Sequence, residues 1–220
     1  MLKKYQKEVK PIKIDIKDKS LNGLLDIPEK CHGLIVFAHG SGSSRLSPRN
    51  QFVASYLTQN NFATLLFDLL TPQEEEVDMF SGEFRFNIEL LADRLMQVTA
   101  WILKQPKLSF YKIGYFGSST GAAAALIAAS KYQKEVSAVV SRGGRPDMAS
   151  SQALKEVKSP TILIVGSLDG PVIELNKTAQ AQMQNTNELK IIPGATHLFE
   201  EPGKLEEVAK IASEWFTRYL

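Results

Sequence analysis

The sequence predicts an α/β protein with an open, mostly parallel sheet, on three observations. Short apolar runs alternate with amphipathic segments along the chain. Several runs are apolar at successive residues rather than at every second one, as strands covered on both faces must be. No repeat, low-complexity tract or Pro/Gly/Ser linker divides the chain, so residues 1–220 read as a single domain large enough for a substantial core. Alternating strand and helix then implies right-handed crossovers, with helices layered on the two faces of the sheet.

The elements justify themselves in order. Residues 11–16 (PIKIDI) and 21–27 (LNGLLDI) alternate or nearly so, with Asn22-Gly23 nearby, and predict an antiparallel edge hairpin. Strands follow at 33–38 (GLIVFA), 63–68 (ATLLFD), 112–117 (KIGYFG), 138–141 (AVVS), 161–166 (TILIVG) and 189–194 (LKIIPG). Phe86, Leu90, Leu91, Leu95, Val98, Trp101 and Ile102 recur at helical spacing, and Pro106 closes that helix. Phe84, Phe86 and Trp101 are read there as core. Leu205, Val208, Ala209, Ala212 and Phe216 predict a second helix near the carboxyl end. Glu74, Glu75 and Glu76 read as a solvated loop.

Composition narrows the function. Hydrophobic residues make up 44%, charged residues 23%, and the net charge is +2, which gives no case for nucleic acid or an anionic membrane as partner. The apolar runs fall short of the ~20 residues that cross a bilayer. Residues 1–10 (MLKKYQKEVK) are basic with no apolar stretch behind them, so no signal peptide is expected. Cys31 is the one cysteine, which rules out an intrachain disulfide and a cysteine-based zinc site and favours a reducing compartment, with cytoplasm the expectation. His32, His39 and His197 are scattered, so no metal is expected.

In open α/β sheets the ligand site lies beyond the carboxyl ends of the strands, so the residues after each apolar run matter most. Gly117-Ser118-Ser119-Thr120-Gly121 follows one run and precedes an alanine-rich helical segment, matching G-x-S-x-G with Ser119 central. A sharp strand-to-helix turn strains its central residue and leaves no space two positions before and after, hence the glycines. The bland alternative is a glycine-bounded turn with incidental serines. Asp169, in SLDGP, and His197, in GATHLF, each follow a later strand and complete the chain order Ser, acid, His. His197 would serve as base and then acid; Asp169 would fix its tautomer. The loop His39-Gly40-Ser41-Gly42 follows the first central run, and the backbone N–H groups of Ser41 and Thr120 are the candidate oxyanion donors. His39 is read as orienting that loop. Arg142 and Arg145, after another run, either clamp an anionic substrate group or pair with acids such as Asp147.

Together HGSGSS, GSSTG, SLDGPV and GATHLFEEP resemble the α/β-hydrolase fold, in its dienelactone-hydrolase-like branch, over residues 33–220. The resemblance implies a three-layer fold with about eight strands and an ester- or lactone-cleaving site that needs no cofactor. Dienelactone hydrolases proper carry cysteine as nucleophile; the matching residue here is Ser119. Only nineteen residues separate Ser141 from Thr161, too few for a lid domain, so a shallow site for small soluble acyl substrates is expected. A dinucleotide-binding loop is excluded, since G-x-G-x-x-G would need glycine where Arg45 stands. A catalytically silent binding or interaction module of the same fold, or a related serine acyltransferase or peptidase, stays open as the alternative.

Overall fold

The computed structural model describes residues 9–220. Residues 1–8, which carry most of the signal-peptide reading, lie outside them. Strands β1 (Lys10–Ile16) and β2 (Lys19–Asp26) form the antiparallel edge hairpin, and β2 runs antiparallel to β4 (Ala63–Phe67). The remaining strands are mutually parallel with β4: β3 (Leu34–Ala38), β5 (Ile113–Ser118), β6 (Val136–Arg142), β7 (Thr161–Gly166) and β8 (Asn187–Ile192). Their order in the eight-stranded sheet is β1-β2-β4-β3-β5-β6-β7-β8. The hairpin turns at Lys17 and Asp18, with Lys17 at φ 35°, while Asn22 and Gly23 lie inside β2 opposite Lys13 and Ile12.

Helices α1 (Pro48–Gln59) and α7 (Lys204–Tyr219) cover one face, over Ile35, Phe37, Phe116, Val140 and Ile164. Helices α3 (Ile88–Lys104) and α4 (Thr120–Lys131) cover the other, over Val36, Leu65, Tyr115, Val139 and Leu163. Consecutive strand residues therefore enter opposite cores, which is why the runs are apolar throughout. Each such Phe, Leu or Ile contributes about 1.5–3 kcal/mol of burial. Ala122 to Ala125 are fully buried, so α4 lies close against the sheet. Between β6 and β7 stand only a 3-10 turn (Pro146–Met148) and the short α5 (Ser151–Glu156); α6 (Gly170–Gln180) links β7 to β8.

Two local expectations change. Glu74 to Glu76 belong to α2 (Pro72–Ser81), started by a capping box in which Glu74 accepts from Thr71 N–H and Thr71 Oγ1 accepts from Glu74 N–H. Glu74 is buried and paired with Arg94 at 2.6 Å and Lys19 at 2.5 Å. The Thr-x-x-Glu spacing carried that signal locally; the distant cations did not show in sequence. Helix α3 begins after Phe86, with Asn87 as its N-cap, and Phe86 is exposed rather than core.

Candidate active site

Ser119 links β5 to α4 at φ 51° and ψ −122°, a strained conformation for a residue with a side chain. Backbone hydrogen bonds hold the strain: Ser119 N–H donates to Arg142 O at 3.2 Å, and Ser119 O accepts from Arg145 N–H at 3.1 Å. The glycines answer to space. A methyl on Gly117 would sit 2.5 Å from Ala122 Cα, and one on Gly121 would run into the carbonyl oxygens of Ala38 and His39. The Ser119 side chain makes no capping bond to α4. Ser118 is buried, and its hydroxyl donates to Asn50 Oδ1 at 3.2 Å, a packing role.

Asp169 and His197 meet across 28 residues of sequence, Nδ1 to Oδ2 at 2.6 Å. Because an ionised carboxylate can only accept, Nδ1 carries the ring proton and Nε2 is left with its lone pair. Asp169 occupies the N-cap of α6, where an aspartate ordinarily caps the helix, yet it makes no such bond; its carboxylate is given to the imidazole instead. His197 is seated by its neighbours. Phe199, at φ 57°, is buried in the core under α1 and α7, and Glu201 accepts from Thr196 N–H at 3.1 Å. Gly143, at φ 51°, passes close to His197, since a methyl there would stand 3.0 Å from the His197 carbonyl oxygen. The stretch from Arg142 to Arg145 thus bonds the Ser119 backbone and borders His197.

Gly40 lies against the serine: a methyl on it would be 3.0 Å from Ser119 Cβ. Ser41 N–H donates to Thr120 Oγ1 at 2.9 Å, the two hydroxyls are 2.9 Å apart, and Ser41 Oγ donates to Arg85 O at 3.1 Å. The two residues expected to supply oxyanion donors are therefore in direct contact. His39 fixes the loop's base. Leu69 N–H donates to its Nε2 at 3.0 Å while Nδ1 faces Gly40 O at 3.0 Å, an arrangement only the neutral ring can make. Burial lowers its pKa below 6.5, against the opposing pull of the Gly40 carbonyl and the Asp68 charge. A cavity of about 680 Å³ opens over this loop, walled by Leu46, Arg49, Glu75, Met79 and Arg85.

The arginines part company. Arg145 binds Asp147 through Nε and Nη2, both at 2.8 Å, which is the pairing alternative. Arg142 is the last residue of β6, in register with Ser118, buried, and among the described residues in no ion pair with an acid. Among the described residues no cluster of three or more His, Cys, Asp or Glu is arranged to hold a metal, and no helix is long and apolar enough to cross a membrane.

Residues 33–160 match the family model of the alpha/beta hydrolase fold, and the chain belongs to that family. Within it, the chain falls in the dienelactone-hydrolase-like branch: it is 52% identical to the dienelactone hydrolase from Anabaena variabilis, with a TM-score of 0.95 over 97% of this chain and 98% of that one. Two Mycobacterium tuberculosis proteins, each named "Putative phosphoribosyl transferase", are 56% identical over 198 residues, 90% of this chain but 44% of theirs. The chain thus spans under half the length of those relatives. Est1E from Butyrivibrio proteoclasticus, at 18% identity and a TM-score of 0.78 over 94% of this chain and 98% of that one, shares the fold.

Proposed function

We propose that the chain is a serine hydrolase that cleaves a small ester or lactone through an acyl-enzyme on Ser119. His197 Nε2 takes the Ser119 proton as Oγ bonds to the substrate carbonyl carbon. The resulting oxyanion takes hydrogen bonds from Ser41 and Thr120 N–H, and His197 returns the proton to the leaving oxygen as the carbon–oxygen bond breaks. Water then repeats the sequence, with His197 as base, and frees the acid. Asp169 holds the tautomer and stabilises the imidazolium. Thr120 Oγ1, which now accepts from Ser41 N–H, is the group a substrate oxygen would displace, so the donor is already aimed.

The observation that carries this reading is the 2.6 Å Asp169–His197 pair, brought from two strand ends to the stretch that also holds the strained serine. The cavity of about 680 Å³ is lined by Gly40 and Ser41 rather than by Ser119, Asp169 or His197, so it supports the reading only as space beside the proposed oxyanion loop. Phosphoribosyl transfer, the activity named for the mycobacterial relatives, has no support from these side chains, and those proteins extend far beyond the matched part. The lone Cys31 favours action in the cytoplasm. A fluorophosphonate probe tests the proposal: it should label the protein at Ser119, found by mass spectrometry, and leave Ser119→Ala unlabelled. An unlabelled parent protein would favour the silent binding module.

A further inference from the structure

Each half of the site is held from within. Ser119 is bonded on both sides to the Arg142–Arg145 segment, by its N–H to Arg142 O and by its carbonyl from Arg145 N–H. Asp169 and His197 stand in loops that bond one another, Ser167 N–H to Ile192 O at 2.9 Å and Leu168 N–H to Ala195 O at 3.0 Å. The halves meet where β6 lies beside β7. That pairing ends at Arg142 and Ile164, and Gly143 N–H adds one bond to Ile164 O at 2.8 Å. Past this point the Ser119 segment has left the sheet.

Asn176 reaches it there. The residue lies about two turns along α6 from Asp169 and is fully buried, between Val172 and Ala179 on the inner stripe of the helix. Such a position ordinarily holds an apolar side chain. Its Nδ2 donates to Gly144 O, 32 residues away, at 2.9 Å, and to Val172 O of its own helix at 2.8 Å. Both partners are carbonyls, which only accept, so the nitrogen must be the atom that faces them and both its hydrogens are used. The cost falls on Oδ1, which is enclosed and, among the described residues, without a partner. A buried acceptor left unpaired is unfavourable, so packing alone does not account for an asparagine here.

Gly144 has little freedom of its own. It is buried, and a methyl on it would run into Ser141 Oγ and stand 2.7 Å from Ala122 Cβ, in the first turn of α4. Gly143 before it borders His197, and Arg145 after it bonds the Ser119 carbonyl. A shift of Gly144 O is therefore passed to the backbone of the serine on one side and of the histidine on the other.

We propose that Asn176 is a positioning residue for the reaction: its bond to Gly144 O fixes α6, the helix that begins at Asp169, against the segment that holds Ser119. The inference rests on the hydrolase reading. Proton transfer from Ser119 to His197 needs the two halves in close register, and a misplacement of about 1 Å far from the chemistry can cost about a hundredfold in rate. Substrate binding should be spared, because Asn176 is fully buried and does not line the cavity over the Ser41 loop.

The test is Asn176→Leu, which keeps a branched side chain of similar reach and cannot donate. Rates are read well below the melting temperature, on protein whose near-UV circular dichroism matches the parent's. In fluorophosphonate labelling of Ser119 the maximal rate should fall about tenfold or more, while the half-saturating probe concentration stays within about threefold. The kcat and KM of p-nitrophenyl butyrate should divide the same way. A purely structural asparagine would lower the melting temperature and leave both constants of the folded protein unchanged, and that result overturns the inference. So does a raised half-saturating concentration at an unchanged maximal rate. Asn176→Ser serves if leucine does not fold: serine is smaller, its hydroxyl bonds Val172 O within the helix, and it is too short for Gly144. The same fall in maximal rate is expected of it, and an unchanged rate is equally fatal. An unlabelled parent removes the hydrolase reading and this inference with it, whereas a labelled parent matched in rate by its variants removes this inference alone.

Discussion

Replacing Asp169 by Asn changes one oxygen for one NH₂ group and removes the charge that faces His197 at 2.6 Å. If the amide nitrogen turns to the ring, Nδ1 must accept, the proton moves to Nε2, and the lone pair that the proposed mechanism needs for the Ser119 proton is lost. If the amide oxygen turns inward, the tautomer survives but the imidazolium loses its counter-charge. At about 4 Å and an effective dielectric of about 20 that attraction is roughly 4 kcal/mol, or about a thousandfold in rate. The His197 side chain is 38% exposed and Asp169 15%, so solvent trims this ceiling, while the tautomer loss adds to it. Together they predict a fall of about 10³-fold. The assay is the second-order rate of fluorophosphonate labelling of Ser119, which needs no knowledge of the substrate, followed by kcat for a short aryl ester. The melting temperature should stay close to the parent's. A labelling rate within tenfold of the parent in well-folded Asp169→Asn protein would refute the base–acid assignment.

Other perturbations separate the site from its scaffold. Gly121→Ala drives a methyl into the Ala38 and His39 carbonyls and should cost about 3 kcal/mol or more, read as a lower urea midpoint; a neutral outcome would contradict the tight elbow. Glu74→Ala strips Arg94 and Lys19 of their partner and removes half of a capping box, for an expected loss of about 3–5 kcal/mol by denaturant titration. Burial raises the Glu74 carboxyl on its own, but bonds from Lys19 and Thr71 and the Arg94 charge outweigh it and hold its pKa below 4.5. Its stability is accordingly present above that pH and lost as pH falls below it. His39, with its folded pKa held below 6.5, binds fewer protons in the fold than in the unfolded chain, so stability is full above pH 6.5 and falls below it. The slope reaches about 1.4 kcal/mol per pH unit, and denaturant melts at pH 5, 6 and 7.5 should show it flattened in His39→Gln.

Much of this was legible without coordinates because it is written in local periodicity. Residues 34–38 and 161–166 are apolar at every position because their alternate side chains enter two different cores. The elbow glycines announced themselves because the steric demand falls within two residues of Ser119. Strand ends were less legible: β6 runs on through Arg142, and β8 ends at Ile192, before Pro193, because pairing with a neighbour rather than apolarity decides where a ladder stops.

The sequence by itself determined the strand–helix alternation, the sheet's layered cover and the chain order of serine, aspartate and histidine. Only the tertiary structure decided how charged side chains three residues apart are used. Arg145, past the strand end, reaches Asp147, while Arg142, on the last pleat of β6, is buried in register with Ser118 and finds no acid among the described residues. It also decided that the Asp169 carboxylate serves His197 rather than its own helix, and that Glu74 is buried between Lys19 and Arg94. The physical reason is common to all of these: periodicity is a property of neighbours along the chain, whereas a charge's partner is set by strand order and register, which join residues far apart in sequence.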